Sequence, residues 1–217
     1  MGLKTVLIVY HKNAQMIYKK SWIDRCVRSI QEQTYKDFDI IEINYGGENI
    51  FYFTELSNKK ELIIDNLDNH ILAMNYLIQI ALNKGYDIIA NLNLDDYYEP
   101  NRFEAQIAAI NNGAQLVSSN FHYFNDERKH FKRMDMQRYA NVGIQFKRNH
   151  NPIAHPVVAY HRSFFEDGLM YNDLLGYEDL DLWKRAYELN RRFVILPEYL
   201  LHYRIHENQI TKTYKGL

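Results

Sequence analysis

Two acidic clusters are the residues of this chain best suited to chemistry. The stretch Asn93-Leu94-Asp95-Asp96-Tyr97-Tyr98-Glu99-Pro100 follows a short apolar run, Ile88-Ile89-Ala90 with Leu92, that reads as a buried strand. Pro100 then opens a helix carried by Phe103, Ile107 and Ile110, proline being suited to a first helical turn. Ligands of open α/β sheets bind at the carboxyl ends of strands, where this acidic pair falls. Two adjacent carboxylates are costly there unless something positive joins them, and a hard divalent cation with oxygen ligands does so most simply. The alternative is a solvated Asp-Asp turn with a capping role. The second cluster, Glu178-Asp179-Leu180-Asp181, begins a helix in which Leu182, Ala186 and Leu189 repeat at helical spacing. Carboxylates in a first turn are favoured by the helix dipole alone. Together, however, the clusters supply what a metal-and-base site needs, one to hold an ion and one to take a proton.

An alternation of strands and helices has to position them. Val6-Leu7-Ile8-Val9 reads as the first strand. Ser21, with Asp24 three residues on, reads as the capping box of a helix that buries Trp22, Ile23, Cys26, Val27 and Ile30. Ile40 to Ile43 form the next strand, ending at Asn44-Tyr45-Gly46-Gly47, and Leu62-Ile63-Ile64 form a short edge strand. A helix over about 69–83 leads to the strand before Asp95. After Leu116-Val117-Ser118 the pattern loosens. Residues 121–150 hold Arg128, Lys129, Lys132, Arg133, Arg138, Lys147 and Arg148 with few apolar repeats, which predicts a long basic loop. Val157 to Tyr160 resume a strand, and the second acidic helix and Phe193-Val194-Ile195-Leu196 close the chain's pattern. This grammar predicts one α/β domain over residues 1–217, a mixed, largely parallel sheet flanked by helices.

A length of 217 residues suits one domain with a proper core. Lys+Arg 26 against Asp+Glu 27 gives a net charge of -1, so no global field calls for nucleic acid or an anionic membrane. The single cysteine, Cys26, lies on the apolar side of the first helix and reads as core rather than nucleophile, which suits a reducing compartment. No apolar run reaches the ~20 residues of a spanning helix, and strand-like sequence starts at Thr5. The expected location is cytoplasmic, without a signal peptide.

The segment NLNLDDYYEPNRFEAQ resembles the D-x-D segment of family 2 glycosyltransferases, inverting enzymes of GT-A fold. SIQEQTYKDFDIIEI is similar to that family's first helix and second strand, NPIAHPVVAYHRSFF to its pre-acceptor strand, GYEDLDLWKRA to its Glu-Asp motif, and LPEYLLHYRIHENQIT to its Tyr-Arg-x-His segment. The matches come in family order, from roughly Thr5 to Thr211. The fold so implied is GT-A, Rossmann-like, with residues about 1–96 as the nucleotide-sugar half and about 97–217 as the acceptor and catalytic half.

The resemblance also implies roles. Asp95 takes the position of the metal ligand, for Mn2+ or Mg2+, and Asp96 shapes the turn or touches the donor sugar. Asn93 replaces the family's first Asp, keeping a hydrogen bond to a ribose hydroxyl without its charge. Asp179 matches the catalytic base, with Glu178 orienting it or meeting the acceptor. Tyr10 would stack on or edge a uracil. Asn44 stands at a strand end where the family carries acids, and Asn75 matches the Asn of Ala-Arg-Asn, with Met74 in place of the Arg. Arg204 would neutralise the diphosphate, and His206 would ligate the metal beside Asp95 or donate to a phosphate. His155 holds a polar position near donor or acceptor. The basic segment 121–150 would be mobile and order over one of them. The activity implied is inverting transfer of a hexose from a nucleotide sugar to an acceptor hydroxyl. The donor expected is a UDP-sugar, with UDP-glucose the best single choice, and the acceptor a glycan, protein or lipid-linked sugar. Two alternatives stand beside it. Asn93, Asn44 and Tyr45 leave room for a catalytically silent nucleotide-sugar-binding module. A sugar-1-phosphate nucleotidyltransferase is disfavoured, since it needs a Gly-rich basic loop where this chain has His11-Lys12-Asn13-Ala14.

Overall fold

The apolar run near the start becomes the central strand of a computed structural model that describes residues 2–56, 59–127, 129–139, 141–207 and 209. Strand β1 (Thr5–His11) is buried almost throughout, because it is paired on both edges and covered on both faces. It lies between β2 (Phe38–Asn44) and β4 (Ile88–Leu92), all parallel, and β3 (Lys60–Ile64) adds a parallel edge beyond β2. Burial along β3 alternates, as a strand with one face turned to the core requires. Helix α1 (Lys20–Gln31) buries Ile23, Cys26 and Ile30, and α2 (His70–Asn83) buries Ile71, Met74, Leu77 and Ile78.

The second half makes the sheet mixed. After β4 come β5 (Tyr97–Tyr98), α3 (Arg102–Asn111), β6 (Leu116–Asn125), β7 (Lys129–Met134), α4 (Val142–Lys147), β8 (Ala159–His161), α5 (Glu178–Glu188) and β9 (Phe193–Arg204). The sheet order is β3-β2-β1-β4-β8-β6-β9-β5, with β7 paired to the far part of β6. β8 runs antiparallel to β4 and β6, and β9 runs parallel to β6 along its whole length. The result is one mixed sheet whose parallel half carries the acidic turn after β4.

Three sequence expectations need correction. Residues 121–150 form no long loop: they continue β6, return as β7, and pass through a 3-10 turn at Met136–Tyr139 into α4. Pairing of β6 with β9 on one edge and β7 on the other gives this stretch a period of two, which its many basic residues conceal. Arg128 lies outside the described residues, as do Asn208, Ile210 and Thr211 of the C-terminal segment. Ser21 caps nothing, since α1 starts one residue earlier, with Lys19 at its N-cap and no side-chain cap. Pro100 stands in the turn before α3, whose N-cap is Asn101.

A buried arginine fixes the strand end that leads to the acidic turn. Arg102 is fully buried; its Nη2 donates to the carbonyls of Asn91 on β4 and Val158 just before β8, and its Nε to Gln106 Oε1 at 3.1 Å. Its guanidinium also lies 4.3 Å from the Tyr98 ring. Burial lowers its pKa to about 10, so the cation persists at neutral pH. Hydrogen bonds from a charged donor hold better than neutral ones, and losing the donor leaves buried carbonyls unpaired. Arg102→Leu is therefore expected to cost about 3 kcal/mol of stability in urea unfolding; an unchanged midpoint would show that β4 and β8 hold without it.

Candidate functional site

The carboxyl ends of β1 and β4 open into a cavity of about 580 Å³. Tyr10, His11 and Lys12 line it from the end of β1, Tyr45 from the turn after β2, and Asn93, Leu94 and Asp95 from the turn after β4. Across from them stand His70 at the start of α2 and Glu178 and Asp179 at the start of α5. The β6–β7 hairpin, the 3-10 turn and the segment before β8 close the remaining side. The two acidic clusters, 83 or so residues apart in sequence, thus share one space because α5 is aimed at the end of the parallel sheet.

The two members of the first pair have different surroundings. Asp95 faces the cavity, and its Oδ2 meets His206 Nε2 at 2.9 Å. The His206 ring is wedged against Tyr18, edge-on at 5.6 Å, and Trp22 at 5.0 Å. Asp96 is buried behind the cavity wall. Its Oδ1 accepts the Arg204 backbone N–H at 2.8 Å, while its Oδ2 has no partner. Burial, then the charge of Asp95, pushes the Asp96 carboxyl well above its ordinary range, which favours its protonated form. Protonation and Arg204 thus relieve the two-carboxylate conflict even with no added cation.

Arg204, expected beside the diphosphate, is absent from the cavity lining and spends its donors on the protein. Nε donates to the Asp95 carbonyl at 2.8 Å and Nη1 to Asp126 Oδ1 at 2.6 Å, with the guanidinium between the rings of Trp22 (4.5 Å) and Phe124 (4.3 Å). It fastens the end of β9 to the acidic turn. Two amides likewise serve the backbone rather than the cavity. Asn44 accepts from the N–H groups of Asn13 and Gly46 and donates to the Glu48 carbonyl. Asn75 brackets the Tyr171 backbone, donating at 2.8 Å and accepting at 3.1 Å. Asp96, like these three, is absent from the cavity lining.

The second pair is differentiated by its neighbours. Burial pushes the Glu178 carboxyl up, but the bond from His70 Nε2 (3.0 Å) and backbone donors outweigh it and leave the group below its ordinary range. For Asp179, burial and the adjacent Glu178 charge win, raising its pKa to about 6 against bonds from Leu180 N–H and Asn151 Nδ2 (2.8 Å). The pair is one lasting anion beside one carboxyl poised near neutrality, the usual division between an orienting group and a base. His155, lining the same wall, is lowered to about 4 by burial and so stays neutral, with Nε2 2.9 Å from the Tyr171 hydroxyl.

The cavity therefore brings together Tyr10, Asn93, Asp95, His155, Glu178 and Asp179, with His206 behind Asp95. Tyr10 also reaches Asn93 Oδ1 at 3.5 Å. Sequence reasoning missed His70 and Asn151, the partners of Glu178 and Asp179. Asn151 opens the NPIAHP stretch and had a local signal, whereas nothing near His70 points to a carboxylate 108 residues away.

Comparison with known proteins agrees with this fold. The model of glycosyl transferase family 2 matches residues 5–169. The O-antigen biosynthesis glycosyltransferase WbnJ of Escherichia coli is 28% identical over 224 residues, covering 98% of this chain and 84% of its own. Among solved structures, Staphylococcus aureus TarS 1-349 in complex with UDP superposes with a TM-score of 0.65 at 15% identity, over 94% of this chain and 61% of that one. The mannosyltransferase PcManGT of Pyrobaculum calidifontis, in complex with GDP-Man and Mn2+, gives a TM-score of 0.69 at 13% identity, over 96% and 59%. Both show the same GT-A fold, and this chain spans about three fifths of each.

Asp179 should also leave a mark on stability. Its folded pKa, about 6, lies above the ordinary 3.8, so the folded protein binds a proton more tightly than the unfolded chain. Its contribution is full below pH 4 and is lost as pH rises through 6. Asp179→Asn, which cannot ionise, is expected to melt at a higher temperature than the parent at pH 8 and at the same temperature near pH 4. Thermal melts at the two pH values test this; a parent that is the more stable at pH 8 would contradict the raised pKa.

Proposed function

The chain belongs to glycosyl transferase family 2, and we propose that it moves a hexose from a UDP-sugar to an acceptor hydroxyl with inversion of configuration. The observation that carries this reading is Asp179, a carboxylate of raised pKa facing, across one cavity, the Asp95–His206 pair at the end of the parallel sheet. UDP is preferred as the nucleotide because TarS, of like fold, is described in complex with it. UDP-glucose remains the first donor to try.

In this mechanism Asp179 takes the acceptor's proton as its oxygen attacks the anomeric carbon from the face opposite the nucleotide. The new C–O bond forms as the bond to the diphosphate breaks, its electron pair leaving on the phosphate oxygen. Asn151 holds Asp179 Oδ2, and Glu178, kept ionised by His70, strengthens the base by its charge. Lys12, the one Lys or Arg among the described residues lining the cavity, stands after β1 where phosphates would lie. Tyr10 and Tyr45 flank the expected base, and Asn93 offers its amide to the ribose.

The donor set suits a divalent ion. Asp95 Oδ2 and His206 Nε2 are 2.9 Å apart, and among the described residues no group of three or more His, Cys, Asp or Glu is arranged to hold a metal. A carboxylate completed by phosphate oxygens and water is the usual manner of Mg2+ and Mn2+, and the His206 imidazole would add a nitrogen ligand beside it. A bound ion would supply Lewis-acid stabilisation of the departing diphosphate. No helix among the described residues is long and apolar enough to cross a membrane.

Two measurements test the reading. Calorimetric titration of UDP is expected to show binding with manganese that falls at least about ten-fold with chelator or in Asp95→Ala; equal affinity of the parent and the variant, each with manganese and with chelator, would remove the ion from Asp95. Release of UDP from UDP-sugars in the presence of manganese and acceptor is expected to fall about 10²–10⁴-fold in Asp179→Asn, the range of a lost general base, with UDP affinity kept. The parent's rate should rise with pH through about 6 as Asp179 deprotonates; full activity of the Asn variant would leave Asp179 a helix-start residue.

A further inference from the structure

We infer that the acceptor side of the cavity takes an uncharged sugar ring, laid on an aromatic wall built by β6, β7 and β9. The inference rests on the transferase reading and names the acceptor class of that same site. β6 projects Phe121 and Tyr123 into the cavity, while His122 stacks instead against Tyr199 at 4.7 Å and Phe124 packs under Arg204. Met134 stands opposite Phe121 on β7, and Tyr203 opposite Tyr123 on β9, both also lining the cavity. The rings brace one another: Phe121 and Tyr123 meet at 5.0 Å and 87°, Tyr123 and Tyr203 at 5.5 Å and 88°. A wall of edge-to-face rings is rigid and keeps its apolar faces and its hydroxyls in fixed directions.

Charge decides what can lie on that wall. Among the described lining residues, Asp95, Glu178 and Asp179 are carboxylates and Lys12 is the one Lys or Arg. Lys12 belongs to the donor side. Lys132, Arg133 and Arg138 do not line the cavity. Arg138 pairs with Asp135, Arg133 lies over the Tyr199 ring, and Lys132 and Arg133 line a separate surface hollow with His122 and His130. Lys132 Nζ lies over the Tyr123 ring, 5.9 Å from its centre, outside the cavity lining. A uronic or phosphorylated acceptor would bring another negative charge beside Glu178 and Asp179, where Lys12 is the one Lys or Arg among the described lining residues, an arrangement that is disfavoured in a partly desolvated site. A neutral ring avoids that conflict. Its C–H face covers the aromatic groups and its hydroxyls meet Asp179, Asn151 and His155, the few placed polar groups that fix orientation in an otherwise apolar pocket.

Saturation-transfer NMR tests this with methyl glycosides as probes, in the presence of UDP and manganese. Methyl glucoside, galactoside and N-acetylglucosaminide are compared with methyl glucuronide, and the UDP signal is read in the same spectra. At least one neutral glycoside is expected to saturate and the glucuronide not. Tyr123→Ala should weaken that signal about ten-fold, as loss of a stacked ring does, and Tyr123→Phe should keep it. A glucuronide signal equal to or above the neutral ones, or neutral signals indifferent to Tyr123→Ala, would overturn the inference. So would silence of every neutral glycoside while UDP saturates. Loss of the UDP signal alone, with neutral glycosides still bound, would sink the donor reading and leave this one standing.

Discussion

The site depends on one buried cation. Arg204, at the last residue of β9, bonds through its backbone N–H to Asp96, through Nε to the Asp95 carbonyl and through Nη1 to Asp126, clamped between Trp22 and Phe124. Those contacts draw four separate parts of the chain, α1, the turn after β4, the end of β6 and the end of β9, to a single point. Two residues beyond the clamp, His206 is delivered to Asp95. Arginine suits such a junction because its planar donors fix direction as well as charge, whereas a lysine would offer only a point. The side chain that the sequence offers as a phosphate partner is, in the structure, the fastening that sets His206 against Asp95.

Burial then makes unlike groups from like ones. Each acidic pair holds two carboxylates, and in each the less solvated member is pushed towards its protonated form while its neighbour keeps a charge-stabilising partner. Asp96 loses its water and Asp95 gains His206; Asp179 loses its water and Glu178 gains His70. Placement against the ends of β4 and α5 is thus an electrostatic device as much as a geometric one. The same device works against folding, because a carboxyl held near neutrality in a closed site costs stability at the pH where it is useful.

Much of this was legible in the residues. The continuous apolar runs of β1, β2 and β4 announced a covered parallel half, and the carboxylates after β4 and at α5 were marked by strand end and helix start. Harder to read were β5, only two residues long, and the β6–β7 hairpin, where Lys132 and Arg133 masked an alternation that becomes visible once β9 is known to lie alongside. Roles of the amides were also hidden. Asn44 and Asn75 can satisfy backbone groups as readily as a ligand, and which they do depends on turns at Gly46 and Tyr171 that no local pattern specifies. For Arg204 the deciding partner, Asp126, stands 78 residues earlier in the chain.

The two-sided character of β6 carries a consequence for how such proteins diverge. Positions 121 and 123 face the cavity, while 122 and 124 face the layer that holds Arg204 and the β5–β9 junction. Alternate residues of one strand therefore answer to separate selective pressures, and preference can drift at the odd positions while the even ones conserve the fastening. An insertion is another matter, because one extra residue exchanges the two faces. The pairing already shifts between Tyr123 and Phe124, where β7 accommodates one residue more than β6, so the slack has been taken up in the outer strand. Lineages that change the length of this hairpin without disabling the site would be expected to do it there, on the solvent-facing arm, and to leave the length of β6 alone.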